Sequence, residues 1–548
     1  MPALLNRLPM ITAAWIVALV VLAAGVTHEG AIAGSLDDVF VVLHEARGWA
    51  SHLGVLPHVL ESDQLGRPSV EGSTSPADVM VKMATMVIAP SADPLVMAGW
   101  VCLGWLALGA LAVAFGAAAL GAGWIRSLAV AAGWACSLGL VEAASYRLEG
   151  PLFAAAWAAL LVAGVRGHRR DALALAVVLC AVRPEGFVLG PAAALWAHRG
   201  SISPSVLASC VSTIVPTLGG RLLLFGTWAP QSFFAKSSDS RLLELQDGIH
   251  YLDASLRTPA GIALVALGAA VLWCIWIGRS AEGDERSARS LRCGLIGLAA
   301  LAAVILVASG GDGYAGSRLA LPIATPVWLA AAIPTEKGAR VQRGCLGLAL
   351  SLQLFGLQSP AGEWPLQGDH AAEPKRTAVE RLQAGPSGME VFEGDREILL
   401  AVAEGLDGET IAHRHAQRFR WLVPELKILD LTGLTSREIA SLPAPNRITF
   451  GRDGIAYGIE VGVGALHLDV LRARPSPLAS VSPLILADAE LALRYAGAPP
   501  LQTELAERLA ERYVGASLRH PGAAGWFNLL VRRDLAERFA SLGFRIGP

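Results

Sequence analysis

The feature that most constrains this chain is a series of long apolar runs between Ile11 and about Gln358. An α-helix needs about 20 apolar residues to cross the hydrocarbon core of a bilayer, where every backbone polar group must be satisfied internally. Of the 548 residues, 53% are hydrophobic and only 16% are charged, a balance that is unusual for a soluble globular domain. The sequence therefore predicts an integral membrane protein whose membrane part is all-α.

Eleven runs are candidate transmembrane spans. They cover residues 11–28, 95–118, 125–143, 152–166, 172–182, 187–197, 204–225, 260–278, 291–309, 318–334 and 343–358. Two of them, 172–182 and 187–197, are too short to cross a bilayer alone, and they flank Arg183-Pro184-Glu185. We interpret this pair as a broken or re-entrant element, which requires that the break be buried in protein or line a cavity.

Charge content divides the chain into two predicted domains. Residues 1–358 form a polytopic membrane domain with 29–94 as its first extracytoplasmic loop, and residues 359–548 form a soluble domain. Short strand-like and helix-like patterns alternate in the second part, which indicates an α/β or α+β fold. His413 and His415 lie there without a third ligand at a useful spacing, so we interpret them as surface residues.

Basic loops predict the orientation, because Lys and Arg accumulate on the cytoplasmic side. The strongest are 166–171, 278–292 and 336–344, and all three are cytoplasmic if Arg7 is inside and the first run is a span and not a signal peptide. The loop 29–94 and the soluble domain then face the extracytoplasmic side.

Composition also excludes some partners and cofactors. A net charge of −2 argues against a nucleic-acid partner, which would require a basic surface. The seven cysteines lie in or beside apolar runs, so the sequence shows no disulfide framework and no Cys/His spacing for a metal. We interpret them as small packing residues.

Ionisable side chains gather on the predicted outer face. They are Asp37, Asp38, Glu71, Glu149, Arg183, Glu185, Lys236, Asp312 and Arg318. One such residue alone would be interpreted as an ion pair or a helix cap, but charge at membrane depth is costly and often marks a functional site. Their accumulation on one face therefore predicts a site there.

These residue types suit group transfer from a lipid phosphate. A carboxylate can act as general base on an acceptor hydroxyl, while Arg and Lys neutralise a phosphate leaving group. The adjacent carboxylates of Asp37 and Asp38 could also hold a divalent cation, which would serve the same phosphate. No other cofactor is expected.

Short motifs in the same order resemble a known family. "DDVFVVLHEARGWASHLGVLPH" from Asp37 resembles "DDAFIxxRYAxNxxxGxGLVFN", and "VEGSTSPAD" (70–78) resembles "VEGYTSPLW". "YRLEGPLF" (146–153) and "VRPEG" (182–186) resemble "GxETPLF" and "TRPEG". "APQSFFAK" (229–236) resembles "LPNTFYAK".

Two further motifs extend the match into the last third of the chain. Residues 310–322 resemble "GGDxxxGxRxxLP", and "LDLTGLTSREIA" (429–440) resembles "xDxxGLTDxxIA". Together the motifs resemble those of GT-C-type polytopic membrane glycosyltransferases that use polyprenyl-phosphate sugars, and within them the terminal arabinofuranosyltransferase-like family of bacterial cell-envelope assembly.

The resemblance implies a GT-C-like bundle and a role for each matched residue. Asp37 or Asp38 would be the catalytic base or a metal-associated carboxylate, with nothing to choose firmly between them. The remaining residues would bind substrate: Glu71 and Glu149 line the acceptor or sugar site, and Arg183, Lys236 and Arg318 are candidates for the lipid phosphate, with Glu185 and Asp312 beside them.

The chain also departs from the family's motifs. His44-Glu45 replaces Arg-Tyr, Ser73 replaces Tyr, Asp78 replaces Trp and Gly150 replaces Thr, which leaves the sugar specificity open. Apolar residues between Val39 and Val55 recur with a near-helical period, which predicts an amphipathic helix that lies on the membrane surface above the site; the alternative is a helix packed on the bundle without contact to substrate.

The implied function is transfer of a sugar, arabinofuranose among the candidates, from a polyprenyl-phosphate carrier to an extracytoplasmic glycan or glycolipid. The implied location is the bacterial inner membrane, with the active site on the extracytoplasmic side and membrane lipid around the bundle. Two alternatives are a transporter or flippase of a lipid-linked sugar and a non-catalytic scaffold for envelope assembly. A transporter is disfavoured because no repeat relates the two halves of the chain.

Overall fold

The computed structural model describes residues 37–51, 75–145, 147–198, 203–229, 241–278, 284–309, 321–335, 338–358, 387–406, 410–413, 421–423, 427–430, 513–519 and 526–547. Helices predominate in these ranges, and the described strands all lie beyond Leu406. The part of the chain that is described therefore agrees with the predicted all-α membrane part.

Fifteen helices are described up to residue 358. They are α1 (Asp37–Ser51), α2 (Pro76–Ile88), α3 (Pro94–Ala119), α4 (Trp124–Ala135), α5 (Leu138–Ser145), α6 (Gly150–Arg166), α7 (Arg169–Val182), α8 (Gly186–Ala197), α9 (Pro204–Ser212), α10 (Val215–Phe225), α11 (Arg241–Leu256), α12 (Pro259–Ile277), α13 (Asp284–Ala308), α14 (Leu321–Ala332) and α15 (Ala339–Gln358).

Four helical stretches are long and apolar enough to cross a membrane, judged by length and composition. They are Pro94–Ala119, Pro204–Leu223, Pro259–Ile277 and Glu285–Ala308. Each coincides with a predicted span. Three further apolar helices, Gly150–Arg166, Gly186–Ala197 and Leu321–Ala332, also coincide with predicted spans but are shorter. The total of eleven spans stays a prediction, and the span 11–28 lies outside the described residues.

The predicted span 125–143 contains two helices and not one continuous helix. Helix α4 ends as the N–H groups of Cys136 and Ser137 bond back to the carbonyls of Ala132 and Trp134. The carbonyl of Ser137 then accepts the N–H groups of Leu140 and Val141, which starts α5. Tightened i to i+3 bonds of this kind commonly close a helix end, and an apolar pattern alone does not reveal them.

Three buried tryptophans form the centre of the membrane part. Trp134, Trp157 and Trp328 are fully buried and belong to one large apolar cluster. Small residues make room for the rings: a Cβ at Gly133 would collide with the Trp328 indole, and one at Gly109 would collide with Trp134. Close helix approach through small residues is typical of membrane bundles.

Two of these tryptophans also complete the hydrogen bonding of α14. Pro326 lies inside that helix and has no N–H to donate to the carbonyl of Pro322, four residues earlier. The Trp157 Nε1–H donates to that carbonyl at 3.0 Å, and the Trp134 Nε1–H donates to Thr325 Oγ1 at 3.0 Å. Pro326 is thus tolerated in α14 because a neighbouring helix supplies the missing donor.

Helix α1 occurs where a helix was predicted, but its environment differs. The prediction was an amphipathic helix with one face in water or headgroups. Val39, Phe40, Val41, Val42 and Leu43 are all at most 5% exposed, so consecutive residues on every side of the helix are covered. The first half of α1 is therefore packed in protein and does not lie on a surface.

The C-terminal described residues mix helices and strands. They form α16 (Ser387–Leu406), β1 (Thr410–His413), β2 (Lys427–Asp430), β3 (Tyr513–Arg519), β4 (Trp526–Arg532), a 3₁₀ turn (Arg533–Leu535), α17 (Ala536–Ser541) and β5 (Arg545–Gly547). Strands β1 and β2 pair in parallel, and β3 lies between β4 and β5 in an antiparallel sheet. The α/β or α+β domain at 359–548 stays a prediction.

The Gly133 contact gives a test of the packing. Replacement Gly133→Ala places a methyl group against the fully buried Trp328 ring, so we expect a loss of stability of about 1–3 kcal/mol. The matched control is Gly297→Ala in α13, where a Cβ meets nothing within 4 Å and helix propensity favours Ala. Thermal unfolding of both variants in detergent should lower the midpoint for Gly133→Ala only. Equal midpoints would contradict this packing.

Candidate functional site

The structure describes five of the nine predicted site residues. Glu149, Arg183 and Glu185 lie together in one cluster, and Asp37 and Asp38 are the first two residues of α1. Four predicted residues lie outside the described ranges: Glu71, Lys236, Asp312 and Arg318. Their predicted roles in binding the sugar and the phosphate stay predictions.

Arg183 lies in a short break between α7 and α8. Its backbone is extended, as expected for a residue before proline, so α7 ends at Val182 and α8 begins at Gly186. A Cβ at Gly186 would collide with the carbonyl oxygen of Leu179. The close approach of the start of α8 to the end of α7 therefore requires glycine at this position. The predicted break around Arg183-Pro184-Glu185 is confirmed.

The Arg183 guanidinium bridges two carboxylates. Its Nε and Nη2 atoms donate to the two oxygens of Glu185 at 3.2 and 3.0 Å, and its Nη1 atom lies 3.0 Å from Glu149 Oε1. The fork to Glu185 is the bidentate geometry in which Arg–carboxylate pairs are strongest. The three side chains are 10–16% exposed, so the edge of this group is accessible to a ligand.

A second ion pair lies on α2, deeper than the first. The Lys82 Nζ is 2.6 Å from Asp78 Oδ2, and both side chains are 1% exposed. The Lys82 ammonium also donates to the backbone carbonyl of Arg147 at 2.8 Å. Burial lowers the pKa of Lys82, but the surrounding groups, Asp78 first among them and Glu149 with it, together outweigh burial, so the pKa is raised above its ordinary value.

Local sequence explains why α2 presents this pair inward. Ser75 caps the helix, since its Oγ accepts the N–H of Asp78 at 3.3 Å, and Pro76 occupies the first turn. Asp78 and Lys82 are four residues apart and so share one face. Met80, Val87 and Ile88 on the same helix are 45–82% exposed, so α2 buries both of its charges while several of its apolar side chains are exposed.

Arg147 holds the inner ion pair against the start of α3. Among the described residues it is the only non-glycine residue with positive φ, at 57°. Its carbonyl accepts Lys82, and its buried Nε donates to the carbonyl of Leu95 at the start of α3 at 2.9 Å. Left-handed backbone is unfavourable for a non-glycine residue and persists only when its surroundings hold it, as these two bonds do.

The cluster combines three carboxylates with three cations. Its members are Asp78, Glu149, Glu185, Lys82, Arg147 and Arg183. Glu149 stands at the start of α6, two residues after Arg147, and its charge acts on the pKa of both Asp78 and Lys82. Buried charges are stable only when paired and hydrogen-bonded, and the cluster meets that requirement with a balanced charge.

Sequence reasoning missed the inner half of this cluster. Asp78 was noted only as a departure from a family motif, while Lys82 and Arg147 were not considered. A usable signal was present, because an Asp and a Lys four residues apart in "PADVMVKMATMVI" are the only charges of an otherwise apolar helix.

The arrangement can bind polyols or position a nucleophile, and it offers no metal cage. Carboxylates fixed by a guanidinium are suitable acceptors for hydroxyl groups. Within the described ranges, no group of three or more His, Cys, Asp or Glu side chains could hold a metal ion. A divalent cation at Asp37 and Asp38 stays a prediction.

Comparisons with known proteins add little to this geometry. No family model matches the sequence, and no curated protein matches it. One similar solved structure is the cryo-EM structure of the arabinofuranosyltransferase AftD from Mycobacteria, with 14% identity and a TM-score of 0.43. The alignment covers 96% of this chain but 40% of that one, so this chain has less than half the length of AftD. At that similarity neither fold nor function transfers.

The buried pair gives a second prediction. Replacement Lys82→Met leaves Asp78 buried without its partner, so we expect unfolding to become easier by about 3–5 kcal/mol. The control is Arg257→Met, which breaks another i,i+4 pair, Asp253–Arg257, whose side chains are 53% and 72% exposed. Chemical denaturation in detergent should show a loss below about 1 kcal/mol for the control.

The double variant Asp78→Leu/Lys82→Met sharpens this test. It removes both charges, so it should recover most of the stability lost in Lys82→Met. If the single variant is as stable as the control, the pair is not buried as described.

Proposed function

We propose that the protein is a membrane glycosyltransferase that moves a sugar from a polyprenyl-phosphate carrier to an extracytoplasmic glycan or glycolipid. The observation that supports this most is the Glu149–Arg183–Glu185 bridge beside Asp78. It joins residues from the motifs 146–153 and 182–186, which are far apart in sequence. Motif residues that assemble into one accessible polar group are better explained by a shared site than by separate structural roles.

The proposed reaction needs a base and a stabilised leaving group. Asp37 or Asp38 takes the proton of an acceptor hydroxyl, and the oxygen attacks the anomeric carbon of the sugar. The bond between that carbon and the phosphate oxygen breaks, and the electron pair leaves with the polyprenyl phosphate. Lys236 and Arg318 are the proposed partners of that phosphate, and a divalent cation at the aspartates would serve the same purpose.

The geometry of the bridge changes the role that we propose for Arg183. All three guanidinium nitrogens face carboxylates, so Arg183 is better suited to hold Glu149 and Glu185 than to bind the phosphate directly. The carboxylate oxygens at the exposed edge would then accept hydrogen bonds from sugar hydroxyls. Fixed acceptors of this kind orient a substrate and lower the entropy lost on reaching the transition state.

Direct assay tests the reaction. Purified protein in detergent or nanodiscs, given a panel of polyprenyl-phosphate sugars and a glycan acceptor, should release polyprenyl phosphate and elongate the acceptor. The double variant Asp37→Asn/Asp38→Asn should abolish both, because no base or metal-associated carboxylate remains. Full turnover by the double variant would remove the proposed mechanism, and movement of intact lipid-linked sugar across vesicles would favour a flippase.

Replacement Arg183→Lys tests the bridge. Lysine keeps the charge but cannot hold two carboxylates in a planar fork, so kcat/KM should fall about 100-fold through misplacement of Glu149 and Glu185. The control is Arg166→Lys, the same change at an exposed position at the end of α6. Steady-state kinetics of both variants should separate them, and equal values would remove the positioning role of Arg183.

A further inference from the structure

A three-residue segment, 421–423, connects the C-terminal part of the chain to the helix that carries Asp37 and Asp38. Trp421 packs against the cluster formed by Val39, Phe40 and Leu43 of α1 with Leu95 and Ala98 of α3. Val423, two residues later and 1% exposed, lies in a different apolar cluster. We call that second set the C-terminal cluster: Ile398, Leu399, Val402, Leu406, Val423, Ala516, Val531, Phe539 and Phe544.

The contact of Trp421 with α1 is specific in geometry. Its ring centroid is 6.2 Å from that of Phe40 at an interplanar angle of 46°. The Arg47 guanidinium carbon lies 3.6 Å from the centroid of the same indole. Both distances lie within the range of favourable aromatic and cation–π contacts, and tryptophan is the best ring for the latter.

The spacing of Phe40 and Arg47 means that Trp421 contacts α1 at two points along the helix. Phe40 and Arg47 are seven residues apart, so they lie two turns apart on one face of α1. A single indole that contacts both restrains rotation and sliding of the helix more than a contact at one turn would. Val423 anchors the other end of the segment in the C-terminal cluster.

We propose that Trp421 is a positioning residue through which the C-terminal cluster holds α1, and thereby fixes where Asp37 and Asp38 stand. The catalytic part of this inference rests on the proposed function. The mechanical part does not, because it concerns only how α1 is held. The C-terminal part of the chain then contributes to catalysis through a packing contact that starts far from the reacting atoms.

The first measurement is independent of activity. Hydrogen exchange of residues 37–51 is compared between the intact protein and the full-length Trp421→Ala variant. Loss of the indole should raise amide exchange in α1 about tenfold or more through local opening, while the membrane helices stay unchanged. The control is Trp276→Ala, which removes a 53% exposed tryptophan whose aromatic partner is Trp273, 5.3 Å away, and should leave α1 unchanged.

The second measurement separates positioning from general instability. Trp421→Ala should lower kcat about tenfold or more with little change in the KM for the polyprenyl-phosphate sugar, because the donor site itself is not altered. Trp421→Phe should restore most of kcat, since a smaller aromatic ring keeps the contact with Phe40. Arg47→Met should lower kcat in the same direction by removing the cation.

The outcomes distinguish the two proposals. Unchanged exchange of α1 in Trp421→Ala overturns the positioning role, whatever the activity. Raised exchange with a selective loss of kcat that Phe restores supports it. If the intact protein transfers no sugar, the proposed function fails while the exchange experiment still decides whether Trp421 holds α1. If Trp421→Ala does not fold, the exchange of Arg47→Met decides instead, and α1 as protected in that variant as in the intact protein overturns the role.

Discussion

The Arg183 guanidinium between Glu149 and Glu185 is the interaction on which the proposed site depends. Two carboxylates this close would repel each other without a cation, and a largely buried cation would be unstable without them. The interaction also links the start of α6 to the break between α7 and α8. It therefore decides both the local geometry of three helix ends and the placement of the groups that can meet a sugar.

Behind this bridge, the Asp78–Lys82 pair and Arg147 extend the polar network into protein. Lys82 donates to the carbonyl of a residue in left-handed backbone, and that residue in turn donates to the start of α3. The inner pair is covered almost completely, whereas the Arg183 bridge is partly exposed. We interpret the inner pair as the support that orients α2 and the residue 147–149 turn, and the bridge as the part that meets ligand.

Sequence patterns predicted the parts of this structure that depend on local physics. Apolar runs located several helices, and the proline in Arg183-Pro184-Glu185 located the break between α7 and α8. Patterns failed where backbone bonds at a helix end, or packing against distant residues, decide the outcome. The division of 125–143 depends on backbone bonds around Ser137, and the burial of both sides of α1 depends on its neighbours. Lys82 was missed because the sequence does not show which side of a helix is buried. A helix that buries two charges and exposes apolar side chains has the same pattern as an apolar helix with two isolated surface charges.

The most direct test of the account is a structure of the full protein with a bound polyprenyl phosphate. The account predicts that the headgroup lies beside the Glu149–Arg183–Glu185 bridge, at the start of α6 and the break before α8, with that bridge intact. A headgroup at the opposite end of the bundle, or in a continuous polar path through it, would contradict the transferase and favour transport of a lipid-linked sugar.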